Sequence, residues 1–190
     1  VSDYTETGNV IESLEYVTFD STVSRLRDVF GADLVTFVTI DGDLQIRSGM
    51  TSMSCGIGWT PNPAMPETDA YAYSAVDFEC MLFNLSIPHE WGHNFGCDHN
   101  YENSEQDRVV PYAYGYQSTM CHWHTIMSYP CEYSVRQGVF SNPNLEFPDT
   151  GEKMGSVTSA YCAMVIDEFR LPVSQFRMHV QMNVEYENSK

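Results

Sequence analysis

The stretch HEWGHNFGCDH, residues 89–99, places three histidines and a glutamate within eleven residues, although the chain of 190 holds only six histidines. His89 and His93 are four apart, a spacing that on an α-helix stacks two side chains on one face, one turn apart. Two imidazoles so placed can hold one metal ion from the same side. Glu90 falls about 100° further round such a helix, so it can lean toward the open side of the metal without ligating it. Gly96 lies where the helix should stop, and a glycine takes the left-handed, chain-reversing conformation at little cost. The reversal returns His99 toward the same ion. Three neutral imidazoles leave a tetrahedral zinc with one exchangeable position, the arrangement of a catalytic site and not of a closed structural one. Water held there has a pKa lowered to about 7, and Glu90 is the base placed to take its proton and pass it to a leaving amine. The motif with its glycine and third histidine arises by chance in on the order of one in a hundred thousand chains of this length. A surface helix with incidental histidines is therefore the weaker reading.

The elements that must position these residues are legible around them. Residues 21–31, STVSRLRDVFG, have the spacing of a short helix stopped by Gly31. ADLVTFVTI, at 32–40, is a β-branched strand expected to be central, ending at the turn signal Asp41-Gly42. CGIGW, at 55–59, is a short extended piece expected at the sheet edge, its glycines leaving room for a peptide that pairs with it as an added strand. AYAYSAVDF, at 70–78, reads as another strand. The zinc helix is expected over about 84–96, with Asn84 as its N-cap and not as the sugar acceptor of Asn84-Leu85-Ser86. Residues 100–124 and 132–155 read as irregular. A last helix is expected from near Ser156, through Val157, Ala160, Tyr161, Met164 and Val165, until Pro172 interrupts it. The fold class is α+β: a twisted mixed sheet and the active-site helix form an upper lobe, and an irregular lower lobe carries the C-terminal helix. The zinc cleft lies between them near residue 100, as ligand sites tend to, and residues 1–190 are expected to form a single catalytic domain.

Composition narrows the partners. The net charge is −17, from 26 acidic and 9 basic residues, so phosphate backbones and anionic membranes are repelled and nucleic acid is excluded as a partner. No apolar run is long enough to span a bilayer. Six cysteines, none in a CxxC pair, point to up to three disulfides and an oxidising, extracellular setting. Cys55 with Cys80 is the expected pair, because both border segments that read as strands; the other pairings stay open. A monomer acting on protein or peptide substrates is expected.

The match extends beyond the histidines. A methionine, Met127, follows His99 by 28 residues in TIMSYP, 125–130. With HExxHxxGxxH this resembles the metzincin clan of zinc endopeptidases, Met127 standing in the Met-turn beneath the metal. YSAVD before the helix, YAYGYQ at 112–117, TIMSY and FSNPN at 140–144 resemble the adamalysin (reprolysin) group, especially its bacterial members, which include the peptidyl-Asp metallopeptidases. The resemblance covers roughly residues 1–177. It implies a metzincin fold, secretion as a proenzyme and peptide-bond hydrolysis, with His89, His93 and His99 as zinc ligands, Glu90 as catalytic base, and Gly96 and Met127 as structural support. By analogy with astacins and serralysins, Tyr129 would ligate zinc or steady the oxyanion. Two departures stand out. Asn100 occupies the position where adamalysins carry aspartate, and its short side chain is expected to replace the aspartate's hydrogen bonds. No segment before residue 20 reads as the strand and long helix that open the family's fold, so that opening is expected to be missing from this chain.

Other residues compete for roles. His122 and His124 alternate as on a strand and would face together, a weaker candidate for a second metal; His179 reads as a surface residue. Asp98, Glu102 and Asp107, in the acidic loop 98–107, could bind calcium but lack EF-hand spacing, so a solvated loop is the better reading. The segment Tyr133–Val139 is expected to wall the pocket beside zinc, where an inward-pointing Arg136 would favour an acidic substrate residue. A catalytically silent zinc-binding module and a narrow-specificity, toxin-like peptidase are the rival functions. Glu90 argues against the silent module, which has no need of a base.

Overall fold

Asn9 opens the first element by accepting from the backbone N–H of Ile11 at 2.9 Å and of Glu12 at 3.3 Å, which satisfies donors that a helix start leaves bare. The helix it caps, α1 (Val10–Phe19), overturns the expectation that nothing helical precedes residue 20. Its Val10, Leu14 and Val17 are buried against the sheet, a spacing of four and then three whose β-branched residues hide its helical character. Asp20 ends α1 and caps α2 (Ser21–Phe30), which stops as expected at a left-handed Gly31. The computed structural model describes residues 4–6, 9–40, 44–47, 50–65, 67–104 and 110–178. The Asp41-Gly42 turn, Asp107 and His179 lie outside the described residues.

Among the described residues, the principal sheet has three strands in the order β1 (Val35–Thr39), β5 (Tyr73–Asp77), β4 (Gly56–Gly58). β1 runs parallel to β5 and β4 antiparallel to it. The expected centre of the sheet is corrected here: β5, buried at every position, is central, and β1 flanks it with Val38 exposed. The helices packed on it, the one over Val10–Phe19 and the one that carries the histidines, explain why YSAVD is buried without alternation. A hairpin of β2 (Leu44–Arg47) and β3 (Met50–Met53) intervenes between β1 and β4. CGIGW does supply the edge strand. AYAYSAVDF is shorter as a strand than expected, since residues Thr68–Tyr71 form a 3-10 turn and Phe78 already belongs to α3 (Phe78–Phe83). Leu14, Val17, Tyr73 and Ala75 form the core of this layer, with Val23, Val35, Phe37, Ile57 and Trp59 packed on it. Arg27 is buried there too. Its guanidinium donates to the carbonyls of Ala32, Asp33 and Asp69 and lies over the Tyr73 ring, tying α2 to β5.

The helix of the histidine motif, α4 (Ser86–Asn94), crosses beneath β4 and β5. Asn84 is not its N-cap. Asn84 closes α3, donating its backbone N–H to the Cys80 carbonyl at 2.9 Å, while Leu85 takes a left-handed conformation (φ 53°) and starts α4 with no side-chain cap. Two helices separated by so tight a corner leave no room for an extended capping residue. Beyond α4, both 100–124 and 132–155 hold short regular pieces among the described residues where irregular chain is expected, beginning with a 3-10 turn at Tyr101–Asn103. β6 (Trp123–His124) pairs with β7 (Val135–Arg136), and β8 (Asn142–Glu146) with β9 (Lys153–Met154). The last helix, α5, spans Cys162–Val173, six residues later than expected at its start. Val157 is exposed, and residues 156–160 close a turn through the Ser156–Ala160 bridge. Pro172 sits within the last turn of α5 and does not break it early. Cys97, Ala113, Ile126, Met127, Cys162 and Val165 make a second, separate cluster below α4.

Cys55 and Cys80 are bonded, as expected, and Cys121 is bonded to Cys131. There is no third bridge among the cysteines: Cys97 and Cys162 are free thiols buried in the lower cluster, where each behaves as a small apolar side chain. Among the described residues, no helix is long and apolar enough to cross a membrane.

Candidate metal centre

α4 carries His89 and His93 on one face, both buried, as the four-residue spacing requires. The reversal that brings in the third histidine is made by Gly96, whose φ is 91°, with its N–H on the His93 carbonyl at 2.8 Å and that of Cys97 on the Gly92 carbonyl at 2.9 Å. One ligand atom from each of His89, His93 and His99 lies within 4.8 Å of the others.

The hydrogen bonds behind the rings decide what these atoms can hold. His89 Nδ1 donates to the Ile126 carbonyl at 2.7 Å and His93 Nδ1 to the Cys97 carbonyl at 3.0 Å. A carbonyl can only accept, so the proton of each neutral ring is on Nδ1 and the Nε2 lone pair points inward. His99 Nε2 then faces both, at 3.2 Å from each. One proton on His99 Nε2 could serve only one of them. A cation among the three reconciles the set, and backbone carbonyls behind the rings are the support that metal-ligating histidines usually have. Burial drives the His89 pKa down to about 3, against the opposing backbone bond, so the imidazole is neutral and available. The donor set fits zinc.

Glu90 is buried beside this set and lies against β4. A Cβ on Gly56 would fall 2.6 Å from Glu90 Oε1, and one on Gly58 2.9 Å from the Glu90 carbonyl. The edge glycines therefore make room for Glu90 itself, which revises the expectation that they serve only a peptide. Burial pushes the Glu90 carboxyl up to about 8, partly offset by the nearby Arg136 guanidinium. Met127 is fully buried under α4, and a Cβ on Gly92 would run into its Sδ. It is a floor and not a ligand. Tyr129 stacks on His99, with centroids 4.1 Å apart, and stays 43% exposed toward the groove. Burial raises its phenol above the ordinary value, so it is protonated and can donate. Asn100 is buried. Its Oδ1 accepts from the Tyr129 N–H at 3.2 Å and from Asn103 at 3.1 Å, and its Nδ2 donates to Glu102 at 3.0 Å. It thus links the third ligand to the turn after Met127, a role an amide side chain fills.

The other candidates separate. His122 is exposed while His124 is buried, hydrogen-bonded to Ser134 Oγ at 2.8 Å, so the two do not face together and form no second metal site. The strand there is only two residues long. Asp98 lies against His99, and Glu102 receives the Asn100 amide. Neither converges on a further cation site among the described residues, and calcium has no support. Sequence reasoning missed Asn94, which donates to the Trp59 carbonyl at 2.8 Å and to that of Tyr73 at 3.1 Å, so locking α4 to β5 and to the residue that follows β4. Its place at the end of a short helix gave no signal of this role.

A groove along β4 joins Gly56, Ile57, Gly58 and Trp59 to His89, Glu90, His93, His99, Tyr129 and Arg136. Comparison with known proteins agrees with this centre. The description Metallo-peptidase family M12B Reprolysin-like matches residues 13–160. A peptidyl-Asp metalloendopeptidase of Stenotrophomonas maltophilia is 28% identical over 181 residues, covering 93% of this chain and 40% of that protein. One of Pseudomonas aeruginosa is 30% identical over 144 residues, 66% of this chain and 23% of that protein. The chain thus spans well under half the length of these relatives. A solved structure of a chaperone–substrate complex shares the fold, with a TM-score of 0.62 at 20% identity, over 93% of this chain and 26% of that one.

Proposed function

This chain belongs to the reprolysin-like metallopeptidases of family M12B, and from that premise we propose that it is a secreted zinc endopeptidase with the metzincin arrangement of lobes around the cleft. The observation that carries the reading is the convergence of three Nε2 atoms beside a buried glutamate, open to a groove along β4, the edge strand of the sheet among the described residues. Zinc bound by His89, His93 and His99 would supply a Lewis acid for the scissile carbonyl and water activated at neutral pH. The chain does the rest. The β4 edge receives the substrate backbone as an added strand. Glu90 takes a proton from the attacking water and delivers it to the amine that leaves. Tyr129, held on His99, offers its hydroxyl to the carbonyl oxygen as negative charge develops there. The name of the relatives, peptidyl-Asp metalloendopeptidase, suggests cutting beside aspartate, and two disulfides suit an extracellular setting.

The test is digestion of a mixed peptide library by the purified chain, with cut sites read by mass spectrometry. Internal cuts that vanish with a zinc chelator and return on adding zinc are expected. A folded, zinc-loaded chain that cuts nothing would favour the silent module instead. Gly56→Ala probes the base independently. The added methyl must push the Glu90 carboxylate aside, and misplacement by about 1 Å costs on the order of 10²-fold in rate. A fall in kcat of about 10- to 100-fold is expected, with the melting temperature nearly unchanged, because the obstructed atom ends a flexible side chain. Unchanged kcat would show that Glu90 does not work from where it lies.

A further inference from the structure

Arg136 is the cationic side chain among the described groove residues, and the proposed reaction does not use its charge. It sits in β7, on the far side of the turn after Met127, half-buried among the groove residues. Three contacts fix its guanidinium. Nη1 donates to the Asn84 carbonyl at 2.7 Å, Nη2 to the Ser128 carbonyl at 3.5 Å, and Nε to His124 Nε2 at 3.4 Å. His124 is itself held by Ser134. A guanidinium carries five N–H donors, so two remain, one on each terminal nitrogen. Those are the pair that meets a carboxylate in the forked, two-bond geometry.

The charge around it is unusual for this chain. With 26 acidic residues available, none forms an ion pair with Arg136 among the described residues. Two carbonyls and an imidazole ring surround it instead. Partly desolvating a cation without a counter-charge is unfavourable unless something supplies one. Glu90, whose field the guanidinium feels, lines the same groove and in the proposed reaction hands its proton to the leaving amine. The substrate residue carrying that amine, the one just after the cut bond, is therefore the candidate to meet the guanidinium in this groove.

We infer that Arg136, fixed by Asn84, Ser128 and His124, is a specificity-determining residue that receives the carboxylate of an acidic side chain immediately after the cut bond. This rests on the endopeptidase reading above and deepens it by assigning the reader of the acidic residue.

Two peptides identical except for Asp or Asn after the cut bond test it, on the zinc-loaded full chain. The unaltered protein should prefer Asp by about 10- to 100-fold in kcat/KM, the range of a hydrogen-bonded charge. Arg136→Gln should bring the kcat/KM ratio of the Asp to the Asn peptide close to one, and Arg136→Lys should retain part of the preference. Arg136→Glu should turn the preference toward Lys. Retained Asp preference in Arg136→Gln would overturn the inference, as would an equal loss on both peptides, which would make Arg136 a brace only. Indifference of the unaltered protein would overturn it too while leaving the endopeptidase reading intact. Calorimetric binding of short peptides beginning with Asp or Asn gives the same discrimination without turnover. If the chain binds the Asp peptide and cuts nothing, the endopeptidase reading fails and the acidic subsite stands; equal binding of both overturns the subsite.

Discussion

Replacing Glu90 by glutamine is expected to lower kcat for peptide cleavage by about 10²- to 10⁴-fold while one zinc per chain is still bound. Glutamine keeps the shape and the hydrogen-bonding reach of the carboxylate and removes only its basicity. The side chain is 4% exposed and packs on Gly56 and Gly58, so the neutral amide fits the space already made. None of the three ligand rings hydrogen-bonds to Glu90; their Nδ1 partners are backbone carbonyls for His89 and His93. Zinc content by atomic absorption and the far-UV spectrum should therefore match the unaltered protein. A variant that keeps more than about a tenth of its kcat would remove Glu90 from the role of base. One that loses zinc as well would show that the carboxylate shapes the metal site.

The second large effect is expected in stability. Gly115 donates its N–H to the carbonyls of Asp98 and His99, at 3.0 and 3.2 Å. On its other side a Cβ would fall 2.6 Å from the Ser128 nitrogen and 2.7 Å from the Met127 carbonyl carbon. These are backbone atoms with no rotamer to yield. Its role is close approach: the chain at 115 is sandwiched between the third ligand and the turn under the metal. Gly115→Ala must separate the two, and overpacking of this kind costs about 1–3 kcal/mol. We expect about 3 kcal/mol, seen as a lower denaturation midpoint, together with a loss of about 10- to 100-fold in zinc affinity as His99 shifts. Gly138→Ala is the control, since its Cβ would meet only Leu85 Cδ1, at 3.9 Å; that change should stay within about 0.5 kcal/mol. Equal behaviour of the two variants would refute the close-approach account.

The candidate metal centre was legible because it is local. His89, Glu90 and His93 share one helix and His99 follows one glycine turn, so helical period and the left-handed tolerance of glycine suffice to bring them together. The same holds for α2 and its Gly31 stop, for the edge strand at CGIGW and for the Cys55–Cys80 bridge between segments that flank β4 and follow β5. Element boundaries that depend on neighbours were not legible. α1 was missed although Val10, Leu14 and Val17 recur at helical spacing, because β-branched Val and Thr residues in the segment lower its helical preference and burial against β5 outweighs that. Asn84 looked like a cap until the corner at Leu85 assigned it to α3. Cys97 and Cys162 counted toward an allowance of up to three disulfides, and only the lower cluster shows them as buried free thiols.

The sequence by itself determined the candidate metal ligands, the candidate base and the kind of chemistry proposed for them, since these follow from spacing along one short segment. The tertiary structure alone decided what surrounds them. It set Glu90 against the glycines of a strand some thirty residues earlier, floored α4 with Met127, clamped it with Asn94 to β5 and to the residue that follows β4, and delivered Arg136 from beyond the turn into the groove. Those contacts join residues distant in the chain. They depend on close packing and on which backbone carbonyls end up facing inward, and no periodicity in a sequence encodes either.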